Sequence, residues 1–208
     1  MQVPAHVEYE KATSVEQALA LLARYAPGAR ILAGGHSLIP MMKLRLAQPE
    51  VLIDINAITG LRYIEPAGGQ LRIGALARHA DLLAAPVAGQ HFAILHDAER
   101  VIADPVVRQW GTIGGSLCQA DPSEDLSAAF AALKGSMIIQ GPDGSREVSA
   151  RAFHTGPYQT VISTCGDKRC KVTGVISGQQ SEHQYIDGLI AVEIDPLQLG
   201  HAQAEAAP

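Results

Sequence analysis

Apolar and polar positions alternate across residues 7–10, as on an edge strand, and the pattern then shifts to a helical period. Val15, Ala18, Leu19, Leu22 and Ala26 fall on one helical face; Ser14 is placed to cap this helix, with Gln17 as its capping-box partner. Pro27-Gly28 ends the helix, residues 30–33 read as a strand, and a glycine-rich turn follows. Residues 40–46 read as a short helix, and 51–55 as a buried strand that closes an N-terminal unit, 1–55. From residue 56 the pattern becomes that of a longer α+β unit. Strands at 61–64 and 71–73 flank Pro66-Ala67-Gly68-Gly69-Gln70, a hairpin signal. Helices over 79–84 and 91–102 follow, the second ending near Asp104-Pro105 because proline disfavours helical geometry in the residue before it. An alanine-rich helix at 126–133, capped from Ser123 or Asp125, precedes strands at 136–140 and 146–149 joined by Gly141-Pro142-Asp143-Gly144. Residues 188–194 form a last apolar strand, and 198–208 read as a disordered tail that lacks the apolar content to pack.

Composition narrows the function classes. The net charge of −5 and the scatter of the basic residues leave no electrostatic footprint for nucleic acid. No apolar run reaches the roughly 18–20 residues of a membrane span, and the N-terminus lacks the basic start and apolar stretch of a signal peptide. Three cysteines are too few for a disulfide framework and fit a cytoplasmic protein. Cys165 and Cys170 are spaced C-x4-C, with Cys118, His154 and His183 as the other conceivable ligands. Zinc prefers closer pairing, and a plant-type iron–sulfur site needs a further C-x2-C, so these read as free loop cysteines and no metal is expected. There is no G-x-S-x-G elbow, and His6, His79, His91 and His96 do not cluster; they read as surface or satisfied core histidines.

Two glycine-rich stretches carry the chemistry. In residues 30–40, RILAGGHSLIP, a short apolar run ends in paired glycines, a polar pair and a proline that can open a helix. Successive N–H groups in such a turn form an anion-binding concavity, for which phosphate or pyrophosphate is the natural guest. Residues 111–117, GTIGGSL, repeat the idea, and the acidic group Asp121, Glu124 and Asp125 follows. Two such turns and a carboxylate suggest a dinucleotide gripped at its pyrophosphate, with an acid for a ribose hydroxyl. Neither G-x-G-x-x-G nor the P-loop pattern occurs.

Residues 33–55 (AGGHSLIPMMKLRLAQPEVLIDI) and 101–126 (VIADPVVRQWGTIGGSLCQADPSEDL) resemble the FAD-binding medium subunit of molybdenum-containing hydroxylases. That group includes aerobic carbon monoxide dehydrogenase and xanthine dehydrogenase-type enzymes. Both motifs stand in the expected order and spacing, and the similarity runs from near residue 1 to about residue 160. The resemblance implies an α+β, two-subdomain FAD-binding fold of the vanillyl-alcohol oxidase/p-cresol methylhydroxylase type. The subdomains would be 1–55 and 56–197, with an atypical segment at 161–187 and the family's usual third domain absent. It also implies FAD as cofactor, a molybdopterin-binding large subunit and a [2Fe–2S] small subunit as partners, and electron transfer through the flavin to an external acceptor. The residues it points to are Ala33, Gly34, Gly35, His36, Ser37 and Leu38 at the first turn, and Gly111, Thr112, Ile113, Gly114, Gly115 and Ser116 at the second. Ile102 is a candidate adenine wall, and Asp125 a ribose ligand or a helix cap. Ser37 and Thr112 offer hydroxyl donors to phosphate, or local turn caps. No general acid or base is implied. Ser116 stands where the family commonly has asparagine, and Gln109-Trp110 also departs from it, with Trp110 read as packing. The alternatives are a truncated remnant that holds no FAD and a stand-alone flavin-binding oxidoreductase.

Overall fold

The computed structural model describes residues 3–67 and 69–162, together with the backbone of 189–194. The Cys165/Cys170 pair, most of the atypical segment and the tail expected at 198–208 lie outside the described residues.

The first layer is a parallel sheet of β1 (Glu8–Lys11), β2 (Ala29–Leu32) and β3 (Val51–Asp54), in the order β1-β3-β2. Crossovers run through α1 (Val15–Tyr25) and α2 (Leu38–Lys43). The central strand of a covered parallel sheet is buried on both faces, which is why β3 opens with three consecutive apolar residues. Ala18 and Leu22 of α1 pack with Ile53, Ile55 and Leu76 in one apolar cluster. Ser14 caps α1 by accepting the Gln17 N–H at 3.1 Å. The expected capping box does not close on Ser14, because the Gln17 carbonyl oxygen accepts instead from the Thr13 N–H (2.8 Å) and hydroxyl. The helix expected over 40–46 begins at Leu38 and ends at Lys43. Pro40 is tolerated in its first turn, where backbone N–H groups have no intrahelical partner.

The second layer follows from β4 (Ile64–Ala67) and β5 (Gln70–Ile73) through six helices: α3 (His79–Ala84), α4 (Pro86–His91), α5 (Ala93–Val101), α6 (Pro105–Trp110), α7 (Ile113–Gln119) and α8 (Asp125–Ala132). Then come β6 (Ser136–Gly141), β7 (Gly144–Ser149), the short helix α9 (Ala150–Phe153), a small hairpin of β8 (His154–Gly156) and β9 (Gln159–Thr160), and β10 (Leu189–Ile194). The five-stranded sheet has the order β4-β5-β10-β6-β7, antiparallel throughout. Leu82, Leu95, Leu117, Phe130, Met137 and Phe153, all fully buried, belong to the core between helices and sheet.

Three local expectations change here. The single helix expected over 91–102 is broken at Phe92, whose φ/ψ of −136°/60° separates α4 from α5 and whose ring lies in the core. Asp104-Pro105 ends α5 but also starts α6: Asp104 accepts the Val107 N–H at 2.9 Å, and proline fits the first helical position. The cap of α8 is neither Ser123 nor Asp125. Glu124 accepts from the N–H groups of Leu126 (3.2 Å) and Ser127 (2.9 Å), and Ser123 turns to Asp121.

Candidate functional site

Gly35 takes φ +76°, a left-handed conformation open to glycine, and so turns the chain from β2 into α2. Among the described residues the backbone N–H groups of Gly35, His36, Ser37 and Leu38 make no hydrogen bond. Ser37 precedes α2 without capping it, leaving its hydroxyl open as well. His36 Nδ1 lies 3.1 Å from the Gly34 carbonyl and donates to it. The remaining nitrogen, Nε2, is therefore an acceptor in the neutral ring and meets an anion favourably only when protonated.

The second glycine stretch is not a free turn. Gly114 and Gly115 form the first turn of α7, which Thr112 caps by accepting the Gly115 N–H at 3.2 Å. That bond occupies one lone pair of the Thr112 hydroxyl, and its proton remains available. Ile113 is fully buried and its N–H bonds the Ala77 carbonyl at 2.9 Å, so it serves the core.

The two stretches touch. A Cβ on Gly34 would press into the Trp110 carbonyl and come within 3.0 Å of Gly111 Cα. A polar clasp fixes this approach. The Arg78 guanidinium donates to the Trp110 carbonyl and, at 2.7 Å, to Asn56 Oδ1. Asn56 Nδ2 donates to the Ala33 carbonyl at 2.8 Å and to Asp54 at 2.7 Å, and the Tyr9 hydroxyl donates to Asp54 at 2.6 Å. Arg78 also lies over the Trp110 ring, 5.9 Å from its centroid. Trp110 is 58% exposed, which corrects its reading as a packing residue.

Between the stretches opens a cleft of about 860 Å³, within the range of cofactor pockets. Every nominated residue except Ile113 lines it, including Ile102 and Asp125. Asp121, Ser123, Glu124 and Asp125 form an acidic rim. The Ser123 N–H and hydroxyl hold the Asp121 carboxyl below its ordinary value. Cys118 also lines the cleft, and burial pushes its thiol up to about 12, so it is no thiolate at neutral pH.

His79 takes the core alternative of its sequence reading; the partner that satisfies it, Glu99, and its link to Ser116 were not foreseen. His79 (2% exposed) places Nδ1 3.1 Å from both oxygens of Glu99 (0% exposed), and its Nε2 lies 2.9 Å from Ser116 Oγ on the cleft wall. Burial raises the Glu99 carboxyl, and the His79 hydrogen bond opposes that shift. A signal was present: Glu99 lies four residues after Leu95, on the buried face of α5.

A family model described as the FAD binding domain in molybdopterin dehydrogenase matches residues 5–167. The chain belongs to this family. FAD is accordingly its cofactor. The medium chain of carbon monoxide dehydrogenase from Hydrogenophaga pseudoflava is 44% identical over 160 residues, covering 77% of this chain and 56% of that one. The glyceraldehyde dehydrogenase medium chain of Sulfolobus acidocaldarius is 39% identical over 157 residues, covering 76% and 56%. The chain thus spans a little over half the length of these relatives. Among solved structures, carbon monoxide dehydrogenase from H. pseudoflava lacking the Mo-pyranopterin moiety superimposes with a TM-score of 0.80 at 37% identity, covering 93% of this chain and 60% of that one. Quinoline 2-oxidoreductase from Pseudomonas putida 86 gives a TM-score of 0.79 at 30% identity, with the same coverages. The mixed helix–strand architecture is therefore the α+β fold of these FAD-binding chains. No described helix is long and apolar enough to cross a membrane.

Proposed function

We propose that this chain is the flavin-holding, electron-transfer part of a molybdenum hydroxylase complex. It would take electrons from the [2Fe–2S] clusters of a small subunit, fed by a molybdopterin-binding large subunit, and pass them to an external acceptor in the cytoplasm. The observation that carries the reading is the junction of the two glycine stretches, where four consecutive unbonded N–H groups border a cofactor-sized cleft. When bound, FAD supplies the redox chemistry, and the protein supplies binding and electrostatics.

The residues that line the cleft then divide the work of binding. The N–H groups of 35–38 and the Ser37 and Thr112 hydroxyls meet the pyrophosphate, Ile102 lies against the adenine, and Asp125, released from capping by Glu124, accepts from a ribose hydroxyl. Gly34, Gly111, Gly114 and Gly115 let the backbone pack against Trp110, His79, Ala75 and Thr112 and so, with Ala33, form the cleft wall, and Ser116 offers its hydroxyl. The test is an absorption spectrum and FAD titration of the purified chain beside Ser37→Asp. Ser37 is exposed, so the variant folds, while its carboxylate sits beside the pyrophosphate. At an effective dielectric of about 20–80, like charges ~4 Å apart cost ~1–4 kcal/mol, so affinity should fall about fivefold or more. Wild-type chain that takes up no flavin overturns the reading and favours a remnant without cofactor. Equal affinity in Ser37→Asp moves the pyrophosphate away from the first turn.

A further inference from the structure

The Glu99–His79–Ser116 chain is more than a satisfied core histidine, because one end is sealed in the core and the other opens on the cleft. Its hydrogen bonds admit two arrangements. With one proton on the pair, Nδ1–H donates to the Glu99 carboxylate and Nε2 keeps its lone pair. Ser116 must then give its own hydroxyl proton to Nε2, offering the cleft only lone pairs, and the pair is negative. With a second proton, on the imidazole or on the carboxyl, Nε2 carries a hydrogen and donates to Ser116 Oγ. The serine proton is then free for the cleft and the pair is neutral.

An anion in the cleft distinguishes the two. Lone pairs and a net negative charge oppose it; a free O–H and a neutral pair favour it. We infer that His79 and Glu99 are positioning residues for the anionic ligand of the cleft: seating it draws one proton from solvent onto the Glu99–His79 pair and turns Ser116 from acceptor to donor. This rests on the proposed pyrophosphate site. The step forms one N–H or O–H bond on the pair, and the proton comes from solvent.

Of the groups lining the cleft, His36 on the first turn would supply the same coupling, since its Nε2 also meets an anion favourably only when protonated; Glu99→Gln leaves His36 in place and so separates the two sources. The charges packed around the pair do not supply it. Arg108, at the α6 side, draws Glu99 down and Glu124, ahead of α8, pushes it up. On and beside α3, Arg78 is taken by Trp110 and Asn56, and Asp81 by Arg62. On α5, exposed Asp97 lies near His96 and Arg100. His91 at the end of α4 is exposed, and Cys118 on α7 stays a thiol.

The experiment is calorimetric titration of the full chain with FAD between pH 6 and 9, in two buffers of different ionisation enthalpy. The expected result is uptake approaching one proton per FAD on the alkaline side, with affinity falling by up to tenfold per pH unit there. Glu99→Gln, which no longer draws the second proton, should exchange none at the same pH. Ser116→Asn carries an amide donor whatever the state of His79, so its affinity should change far less with pH. If Glu99→Gln fails to fold, wild type and Ser116→Asn still decide. FAD binding without proton uptake and flat with pH overturns this inference and leaves the pyrophosphate site standing. No FAD binding overturns both.

Discussion

Gly34→Ala is the sharpest probe of the way the two stretches meet. The added methyl meets the Trp110 carbonyl and Gly111 Cα, which are backbone and cannot rotate away. The carbonyl is also held by Arg78, itself tied through Asn56 to Ala33, the residue before the mutation. The strain therefore has no local outlet, and the stretches must separate. Overpacking of this kind costs about 1–3 kcal/mol, and for a chain of 150–250 residues each kcal/mol lowers Tm by roughly 2–4 °C. A fall of roughly 2–12 °C is expected by circular dichroism, together with weaker FAD binding by fluorescence. Gly60→Ala is the control, since a Cβ there meets nothing within 4 Å and should leave both unchanged. If Gly34→Ala melts with the control and binds FAD equally well, the close approach of the two stretches is not what shapes the cleft.

Removing Arg78 leaves the Trp110 carbonyl and Asn56 without their charged donor, at about 1.5–3 kcal/mol for each such bond. Arg78→Ala should lower the urea midpoint and FAD affinity together, and Arg78→Lys, lacking the guanidinium fork, should recover only part. Glu99→Ala breaks a buried pair and should cost about 3–5 kcal/mol, whereas His79→Ala/Glu99→Ala should cost clearly less than the two single losses combined. Additive losses in urea titrations would show that the pair is not coupled. Acid stability should depend on Asp81, where burial raises the pKa but the Arg62 bonds, the Arg78 N–H and both guanidinium charges together outweigh it and leave it lowered. A lowered folded value gives stability that is present above the ordinary ~3.9 and lost as pH falls through the folded value, so Arg62→Gln should shrink the wild-type advantage above that range and leave little difference below it. Deleting residues 168–208 removes β10 from between β5 and β6, leaving two-stranded hairpins that are marginal alone. The deleted chain should unfold non-cooperatively and lose FAD even though every residue of the cleft remains; a wild-type melting curve would contradict this.

Sequence legibility followed the range of the forces involved. The parallel layer was readable because α1 has a local cap and a one-sided apolar face, and β3 an uninterrupted apolar opening. The break at Phe92 was not, because neither glycine nor proline marks it; only a core two elements away gives the ring a place to go. Asp104-Pro105 carried two meanings, helix end and helix start, and the second needed the Val107 N–H to be recognised. Residues 189–194 read as a strand from their own composition, but only the ladders to β5 and β6 put it at the middle of the sheet.

The site divides along the same line. Paired glycines announce a close backbone approach wherever they stand, and all the nominated residues but Ile113 line the cleft. What glycine cannot announce is its partner. Gly34 meets Trp110 and Gly111, and a Cβ on Gly114 would lie only 2.9 Å from Ala75, neighbours set by tertiary packing. The same holds for the groups that tie the two stretches together. Asn56, Arg78 and Trp110 are tied together only once β3, the α3 N-terminus and the α6 C-terminus converge. Glu99, taken alone, is an ordinary charge in a helix. Leu95 one turn before it is fully buried, so Glu99 must be buried too, and a buried carboxylate needs a partner. That requirement leads to His79, and from His79 to Ser116 on the cleft wall, so the cleft's polar wall is fixed by a residue that never reaches it.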